Sequence, residues 1–343
     1  MKRILVVFLV ILLLGGILAG CGGGSGQSAP ASQPSPDTAG QTAGSEKAEY
    51  VFGQYSPENP LKIKLSHFAV TETNQLHRLA ASFKEKIEKS TGGAVEVTIY
   101  TGGLLGNDVE SLDSVIAGTL DMAVNNTPIM SNRYEAFQVL DIPYLFEDYD
   151  HIYAFLESDV CQQMMEDFGR KTGARMLCMQ AVGYRNFDLK KPVKTPADLA
   201  GLKIRVTNSP VYLAQYEAWG ANPLIIAGPE VITALQQGTI DGCDNVHNVA
   251  YSDGYYEYVD HITISEHAVH FNGLTIHNKL YESLVPELQE LISNAAKEAA
   301  VERTRALRQE NEEQLQLMVQ AGAKVNTDID KAAFKEAAKS VYE

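Results

Sequence analysis

The sequence predicts an α/β protein of two lobes, and three observations support this fold class. Segments with the spacing of strands and of helices alternate along most of the chain after residue 50, which is typical of sheets with mostly parallel strands. Segments from two parts of the chain can be aligned with each other. A helical pattern near the end is too long for one small lobe.

The alternation begins at Leu61–Leu65, where apolar and charged residues alternate as in a half-buried strand. Apolar residues then recur at helical spacing from Leu76 to Ile87, and Gly92 and Gly93 end that pattern. The same order continues with a strand at 95–100, a helix at about 109–117 and a strand at 120–124. We therefore expect parallel strands that alternate with helices.

The middle of the chain repeats this order. A strand is predicted near 174–180, and Lys191–Leu199, which contains two prolines, is predicted to connect the two lobes. Beyond it come a strand at 202–206 and helices at about 211–219 and 230–237. The second part of the chain is thus predicted to contain the same kinds of element as the first.

The last helical pattern runs from Pro286 to about Ala321 and is rich in Ala, Glu, Leu, Gln and Arg. A helix of about 35 residues would be about 50 Å long, at a rise of about 1.5 Å per residue. Because this length exceeds one small lobe, we expect a helix that either runs across both lobes or is kinked.

The two parts of the chain also resemble each other in sequence. Residues 110–125 can be laid on residues 230–245 without a gap, and Leu61–Ser66 matches Leu202–Thr207. Two lobes built on one plan would explain these matches. The alternative is that both parts converged on one geometry of helix, turn and strand.

Asn125 and Asn245 end the aligned segments, each just after a predicted strand. Because ligands of α/β proteins lie beyond the carboxyl ends of parallel strands, we expect these two side chains on opposite walls of one cleft. Their carboxamides are able to donate and accept hydrogen bonds to a polar ligand. The alternative is that either asparagine only caps a turn.

The charge of the chain excludes one class of partner. There are 28 Lys and Arg residues against 43 Asp and Glu residues, which gives a formal net charge of −15. Such an acidic protein is not expected to bind nucleic acid. If its ligand is an anion, individual arginines in the cleft must supply the positive charge.

The N-terminal residues have the pattern of an export signal. Two basic residues precede an apolar run at Ile4–Leu14, which is shorter than the roughly 20 residues that span a bilayer. Leu18–Cys21 resembles a bacterial lipobox, so we expect residues 1–20 to be a lipoprotein signal peptide and Cys21 to carry the lipid. Residues 21–49, rich in Gly, Ser, Pro and Ala, are predicted to be a flexible tether. A retained membrane anchor is the alternative.

The other cysteines and the histidines do not indicate a metal or a cofactor. Cys161, Cys178 and Cys243 lie among apolar residues without a CxxC spacing and are predicted to be buried, with at most one disulfide. His267 and His270 are three residues apart, which in a strand would put them on opposite faces. Because metal-binding, dinucleotide-binding and serine-hydrolase motifs do not occur in the sequence, we expect neither a metal nor a cofactor.

Four ordered segments resemble a known family. They are Gly183–Phe187, Pro196–Val206, Gly220–Pro223 and Glu230–Gly242. Together they are similar to the DctP-type substrate-binding proteins of tripartite ATP-independent periplasmic (TRAP) transporters, and the similarity extends from Leu61 to about Ala323.

The resemblance implies a periplasmic-binding-protein-like fold, in which hinge strands join two α/β lobes and a long helix spans both. It predicts that residues 50–182 and 271–308 form lobe I, and that residues 183–270 and 309–343 form lobe II. In such a fold the ligand lies between the lobes.

In this family the arginine of the segment Leu202–Val206 holds the ligand carboxylate in a two-pronged salt bridge, and that residue is Arg205 here. A guanidinium suits the role because its planar fork of donors matches a carboxylate and stays charged at any relevant pH. The resemblance makes Arg185 a second arginine beside the same carboxylate and Asn245 an orienting amide. Asp244 stands where a glutamate is usual.

The resemblance also places residues of the first lobe near the far end of the ligand. These are His67, Phe68, Glu72, Asp108 and Asn126, the last beside Asn125. Relatives commonly carry an aromatic residue just before the helix that starts at Glu230, where this chain has Gly228 and Pro229. The pocket is therefore either roomier there, or another aromatic residue supplies the surface. The candidates are Phe68, Tyr184 and Trp219.

The function implied by the resemblance is that of an extracytoplasmic solute-binding protein, which captures a small organic acid and delivers it to the membrane subunits of a TRAP transporter. A dicarboxylate, a sugar acid and a keto or hydroxy acid all fit the predicted site. With its lipid anchor, the protein would lie on the outer face of the cytoplasmic membrane. Two alternatives remain open. One is an anchored enzyme that acts on small acids, with Glu72, Asp108 or His67 as its base, and the other is a sensory receptor with the same pocket.

Overall fold

The computed structural model describes residues 50–342. The predicted signal peptide and tether, including the predicted lipid-attachment residue Cys21, lie outside the described residues, as does Glu343. In the part of the chain that is described, no helix is both long enough and apolar enough to cross a membrane.

The strands between residues 50 and 342 form one mixed sheet. They are β1 (Leu61–Ser66), β2 (Val95–Tyr100), β3 (Met122–Asn126), β4 (Ala174–Leu189), β5 (Lys203–Val206), β6 (Asn222–Ile225), β7 (Gly242–Asn245), β8 (His261–His277) and β9 (Lys324–Asn326). Their order is β2-β1-β3-β8-β4-β7-β5-β6, with β9 beside β8. Strand β1 is parallel to β2 and β3, and β5 is parallel to β6 and β7. These two parallel groups confirm the prediction of a two-lobed α/β fold.

Two long antiparallel strands join the groups. Strands β4 and β8 pair with each other, β8 also pairs with β3 in the first lobe, and β4 also pairs with β7 in the second. The chain therefore passes between the lobes through β4 and β8, which are the hinge strands. The segment Lys191–Leu199, expected from its prolines to connect the lobes, instead joins β4 to β5 within the second lobe. Its prolines end a strand and begin a turn there, because proline cannot donate a hydrogen bond to a sheet.

Between residues 50 and 342, the helices mostly start where the sequence supplies a side-chain cap or a proline. They are α1 (Gln75–Ser90), α2 (Asp108–Ala117), α3 (Thr127–Ser131), α4 (Tyr149–Leu156), α5 (Asp159–Thr172), α6 (Pro210–Ala218), α7 (Val231–Gln236), α8 (His247–Ser252), α9 (Asn278–Ser283), α10 (Pro286–Gln320) and α11 (Lys331–Ala337). Asn74 caps α1, and Asn107 and Glu110 form a capping box at α2. Helix α10 begins at Pro286, a position where a proline disrupts no helical hydrogen bond.

Helix α10 is one element of 35 residues and spans both lobes, as its length suggested. Leu288, near its start, belongs to the core of the first lobe. Near its other end, Asn311 donates to the carbonyl oxygen of Val182 at 2.9 Å and accepts from the backbone N–H of Asn248 in α8 at 2.9 Å. The predicted lobe boundaries at 182/183, 270/271 and 308/309 stay a prediction, since β4, β8 and α10 run through both lobes.

Each lobe has an apolar core of its own. Ile63 and Phe83 are buried in the core of the first lobe. In the second lobe, the Trp219 ring packs edge to face against Phe187 and Phe334, and its Nε1 donates to the carbonyl oxygen of Phe334 at 3.0 Å. Trp219 is therefore a core residue rather than an aromatic wall of the cleft.

The three cysteines of the described residues are buried, as predicted, and all three are free thiols. Burial raises the pKa of Cys161 and of Cys178 to about 12. Since the thiolate is the reactive form, both side chains act as small apolar groups at neutral pH.

Candidate functional site

A polar cavity, here called the central cavity, lies between the lobes where β3, β5 and β7 end. Its lining comes from both lobes and the hinge strands. It is lined by Phe68, Asn74, Gln75, Leu76, Asn126, Val182, Arg185, Arg205, Thr207, Gly228, Asn245, Val249, Asp253, Tyr255, His270 and Asn272. A neighbouring side cavity is lined by Asn107–Glu110, Arg205, Asn208 and Ile225–Ala227. Arg205 borders both spaces.

The position of Arg205 follows from the strand that carries it. Its neighbours in β5, Ile204 and Val206, are buried in the core of the second lobe, so alternation along the strand directs Arg205 to the other side, where the cavities lie. Its Nε donates to the carbonyl oxygen of Ile226 at 2.9 Å. Among residues 50–342, no carboxylate pairs with this guanidinium, and its two terminal nitrogens have no hydrogen-bond partner. The donors that a bound carboxylate needs are therefore open.

Arg185, on the hinge strand β4, lines the same cavity but has its donors occupied. Its Nε and Nη2 donate to the two carboxylate oxygens of Asp244 at 2.6 and 2.9 Å. Nη2 also donates to the carbonyl oxygen of Asp244 at 2.7 Å, and Nη1 donates to His270 Nδ1 at 2.9 Å. The guanidinium carbon lies 5.1 Å from the centre of the Tyr212 ring. Arg185, which the resemblance predicted beside the ligand carboxylate, thus already forms a two-pronged salt bridge within the protein.

Asp244, which stands where glutamate is usual, faces neither ligand nor solvent. Its side chain and that of Arg185 are each only 1% exposed. Burial opposes its ionisation, but the Arg185 guanidinium and His267 Nε2, 3.0 Å away, hold its pKa well below the usual range. Arg185 and Asp244 therefore form an internal ion pair without net charge.

His267 and His270 both contact this ion pair, although a regular strand would put them on opposite faces. The pairing of β8 with β4 shifts register just after Arg185, and Glu266 has a φ of 48°. This bulge brings the two imidazoles to one side. Burial, together with Arg185, lowers the pKa of His270 to about 3, so its imidazole is neutral. Within the residues described, no three His, Cys, Asp or Glu side chains are grouped to hold a metal ion.

Asparagines face the central cavity from both lobes, but in the first lobe it is Asn126 rather than Asn125. Asn126 and Asn245 both line the cavity and are each 5% exposed. The Oδ1 atom of Asn126 has no hydrogen-bond partner in residues 50–342. Asn125 is fully buried, and its Nδ2 donates to the carbonyl oxygen of Asp108 at 2.8 Å. Since successive residues of a strand face opposite sides, only one of the two can reach the cavity.

The other predicted residues of the first lobe divide into two groups. Phe68 lines the central cavity, and Asp108 lines the side cavity. A Cβ atom added at Gly228 would lie 2.6 Å from Cε2 of Phe68, so this ring supplies the aromatic surface at Gly228. His67 is fully buried and Glu72 is exposed, and neither lines either cavity. The roles assigned to all these residues stay predictions.

One pair of cavity residues was not singled out by the sequence. Asn74 Nδ2 donates across the cleft to Asp253, at 3.0 Å to Oδ1 and 3.3 Å to Oδ2. Burial raises the pKa of Asp253 and that of Asp108, and Arg205 opposes both shifts. The pattern at the start of α1 identifies Asn74 as a cap, but no local signal links residues that are 179 positions apart.

A larger, mainly apolar cavity lies away from the cleft, between α4, α5, β4 and α10. Its empty volume is about 1190 Å³, and Leu156, Met165 and Leu177 contribute to its lining. Its cationic side chains, Lys297 and Arg305, are exposed. A carboxylate held by a buried arginine is therefore better matched by the central cavity, where Arg205 is 5% exposed.

Comparison with known proteins points to one family. The sequence profile of the DctP family, described as bacterial extracellular solute-binding protein, family 7, matches residues 65–343. The chain is also similar to the 2,3-diketo-L-gulonate-binding periplasmic protein YiaO of Escherichia coli. The two are 30% identical over 271 residues, which cover 79% of this chain and 82% of that protein.

Two solved structures share the fold. A TRAP periplasmic solute-binding protein from Roseobacter denitrificans, with bound L-galactonate, is 28% identical with a TM-score of 0.77. Another from Shewanella oneidensis, with bound succinate, is 28% identical with a TM-score of 0.78. Each match covers 82% of this chain and 93% of the other chain.

Proposed function

Because the chain belongs to the DctP family of bacterial extracellular solute-binding proteins, we propose that it captures a small organic acid and delivers it to the membrane subunits of a TRAP transporter. The observation that carries this proposal is the open fork of Arg205, at a cavity lined by both lobes. The relatives described above bind 2,3-diketo-L-gulonate, L-galactonate or succinate. A small carboxylate is thus the ligand class that matches both the family and the site.

The carboxylate binds the two terminal nitrogens of Arg205, whose orientation is fixed through Nε and the Ile226 carbonyl oxygen. A bidentate guanidinium pair in a site shielded from water is stronger and more directional than an exposed ion pair. Asn245 and Asn126 approach from the two lobes and supply neutral hydrogen-bonding groups. Arg185 acts indirectly, because Asp244 neutralises its charge and its Nη1 holds His270 at the wall of the cavity.

Ligand capture involves movement of the lobes about the hinge strands β4 and β8. Lobe I is assigned to residues 50–182 and 271–308, and lobe II to residues 183–270 and 309–343. Two direct contacts support a closed arrangement in which the lobes meet around the ligand. They are the hydrogen bonds from Asn74 to Asp253 and from Asn132 Nδ2 to the carbonyl oxygen of Asn208, the latter 2.8 Å long. Closure of this kind is a common response of two-lobed binding proteins to their ligand.

The protein binds its ligand without changing it. Family members are solute-binding proteins of transport systems, which supports this reading over that of an anchored enzyme. Of the three bases considered for an enzyme, Glu72 and His67 line neither cavity. The third, Asp108, lies in the side cavity beside Arg205.

Residues 1–20 are assigned to a lipoprotein signal peptide, Cys21 to lipid attachment and residues 21–49 to a tether. The lipobox-like segment Leu18–Cys21 supports this assignment. We expect Cys21→Ser to abolish incorporation of labelled fatty acid in the bacterium and to move the protein from the membrane to the soluble fraction after export. Equal labelling of the variant and the native chain would contradict the assignment.

The proposed function is tested by mixing the full chain with a panel of sugar acids, dicarboxylates and keto or hydroxy acids. A ligand at 100 times its dissociation constant adds about 2.7 kcal/mol of stability, which a thermal-shift assay detects. Chromatography of the mixtures checks for products. Stabilisation by at least one acid without turnover is the expected result. Turnover, or no stabilisation by any acid, would contradict the proposal.

A further inference from the structure

The charges around the two cavities limit the kind of acid that fits. The linings of both cavities together contain two cationic side chains, Arg185 and Arg205. Asp244 neutralises Arg185, so Arg205 is the one lining cation whose terminal donors are open among residues 50–342. Asp253 lies in the lining of the central cavity, and Asp108 and Glu110 lie in that of the side cavity. Glu110 is exposed, and its carboxylate accepts from the backbone N–H of Asn107 in the capping box of α2. One available cation therefore faces two carboxylates that are shielded from solvent, Asp253 and Asp108.

The two carboxylates do not pair with Arg205 and are held by other groups. Asp253 accepts hydrogen bonds from Asn74 Nδ2 and from Ser252 Oγ, the latter at 3.0 Å. Asp108 lies in the first turn of α2, where its Oδ1 accepts from the backbone N–H of Val109 at 3.2 Å. Because these contacts fix both carboxylates at the cavity walls, they remain near a ligand that occupies Arg205.

The rest of the central cavity is lined by neutral polar groups. Gln75, Asn126, Asn245 and Asn272 supply amides, and Thr207 and Tyr255 supply hydroxyls. Amides and hydroxyls exchange hydrogen bonds with ligand hydroxyl groups, and the Asp253 carboxylate is able to accept one. Neutral groups do not compensate a second negative charge.

We propose that the ligand is a monocarboxylate that carries hydroxyl groups, such as an aldonic acid, and that Asp253 and Asp108 select against dicarboxylates. This inference rests on the proposed function, since it assumes that Arg205 binds the carboxylate. A second ligand carboxylate would lie in a low-dielectric cleft without a cation and near two like charges, which is unfavourable. Family membership leaves the choice open, because one relative described above holds L-galactonate and another holds succinate.

Two matched pairs of acids test the inference by calorimetry on the full chain at neutral pH. Erythronate and meso-tartrate have the same carbon skeleton, but the terminal hydroxymethyl group of the first is a carboxylate in the second. Galactonate and galactarate differ in the same way and are longer. We expect the monocarboxylate of a pair to bind at least about tenfold more tightly than its dicarboxylate. Equal or tighter binding of the dicarboxylate, or of succinate, would overturn the inference.

Substitution of the carboxylates tests their role. Asp253→Asn keeps the size of the side chain and an oxygen that accepts from Asn74. We expect this variant to bind dicarboxylates more tightly, so that the ratio of monocarboxylate affinity to dicarboxylate affinity falls about three- to tenfold. Asp108→Asn should narrow the ratio in the same direction, which keeps the test available if one variant does not fold. The matched control is Asp260→Asn, which removes the same charge from an exposed position and should leave the ratio unchanged.

The possible failures are distinct. If Asp253→Asn and Asp108→Asn both fold and keep the native ratio of monocarboxylate affinity to dicarboxylate affinity, these two carboxylates do not select against dicarboxylates. If the folded native chain binds no acid of the panel, or if Arg205→Ala binds as tightly as the native chain, the proposed function or its site is wrong instead.

Discussion

Arg185 and Arg205 border the same cavity, but their surroundings give them different tasks. Arg185 donates four hydrogen bonds to Asp244 and His270, and these bonds link β4 to β7 and β8. Among residues 50–342, Arg205 is held only by the carbonyl oxygen of Ile226, and its terminal nitrogens are open. A buried arginine in a binding cleft is therefore available to a ligand only if the protein has not already supplied an anion that pairs with it.

The largest expected effect is on stability, at Arg185. Arg185→Ala leaves Asp244 buried without its partner, and we expect it to lower the free energy of unfolding by about 3–5 kcal/mol. Urea denaturation followed by circular dichroism measures this loss. The double variant Arg185→Ala with Asp244→Ala should recover part of the loss, since it removes the unpaired charge. A loss below about 1 kcal/mol would show that the pair is not structural.

The second effect is on binding, at Arg205. Arg205→Ala should weaken acid binding by about 2–5 kcal/mol, because the ligand carboxylate loses its buried partner. Its free energy of unfolding should change little, since no carboxylate among residues 50–342 depends on it. Arg308→Ala, which removes an exposed arginine of α10, serves as the control. Calorimetry that finds native affinity in Arg205→Ala would reverse the assignment of the two arginines.

The third effect is a pH dependence of the stability of the protein, caused by the buried imidazole of His270 beside Arg185. The pKa of His270 is about 3 in the folded chain, and that of an unfolded histidine is about 6.5. The unfolded state therefore binds a proton that the folded state does not, and stability falls as pH decreases from about 6.5 towards 3. When the pH falls from neutral to 5, the free energy of unfolding of the native chain should decrease by about 2 kcal/mol more than that of His270→Gln.

Urea titrations of both proteins at several pH values measure this difference. An NMR titration of the His270 imidazole adds an independent reading, because its signals should show no protonation above about pH 4. Parallel stability curves for the native chain and His270→Gln would contradict the proposed burial of a neutral imidazole beside Arg185.

The smallest effect concerns the contact that joins the lobes near Arg205. Asn74→Ala removes both the cap of α1 and the hydrogen bond to Asp253. Asn74→Ser removes the hydrogen bond to Asp253 but retains a side-chain oxygen that caps α1. Both variants should weaken ligand binding by about 0.5–1.5 kcal/mol. The alanine variant alone should also lose about 1 kcal/mol of unfolding free energy. Native affinity in both would show that this contact does not contribute to the closed form.

The sequence predicted those features of the fold that depend on local pattern. Alternation at Leu61–Leu65 and the long pattern from Pro286 gave β1 and α10, because side-chain spacing directly reflects strand and helix geometry. The interpretation of Lys191–Leu199 as a connection between lobes was wrong, since proline ends a strand equally well inside a lobe. Proline therefore marks a boundary between elements without saying which elements meet there.

The site was less accessible to sequence reasoning. The family resemblance singled out Arg205, but the choice between Asn125 and Asn126 depends on a one-residue register that the sequence does not fix. The two histidines at Arg185 come together through a bulge in β8 that has no sequence signature of its own. The pairing of Asn74 with Asp253 is a contact between distant parts of the chain.

The most direct test is a crystal structure of the full chain with the acid that stabilises it most. We expect one ligand carboxylate to lie within hydrogen-bond distance of both terminal nitrogens of Arg205, with the pair of Arg185 and Asp244 intact. A carboxylate bound to Arg185, with Asp244 displaced, would show that Arg185 rather than Arg205 is the ligand-binding arginine.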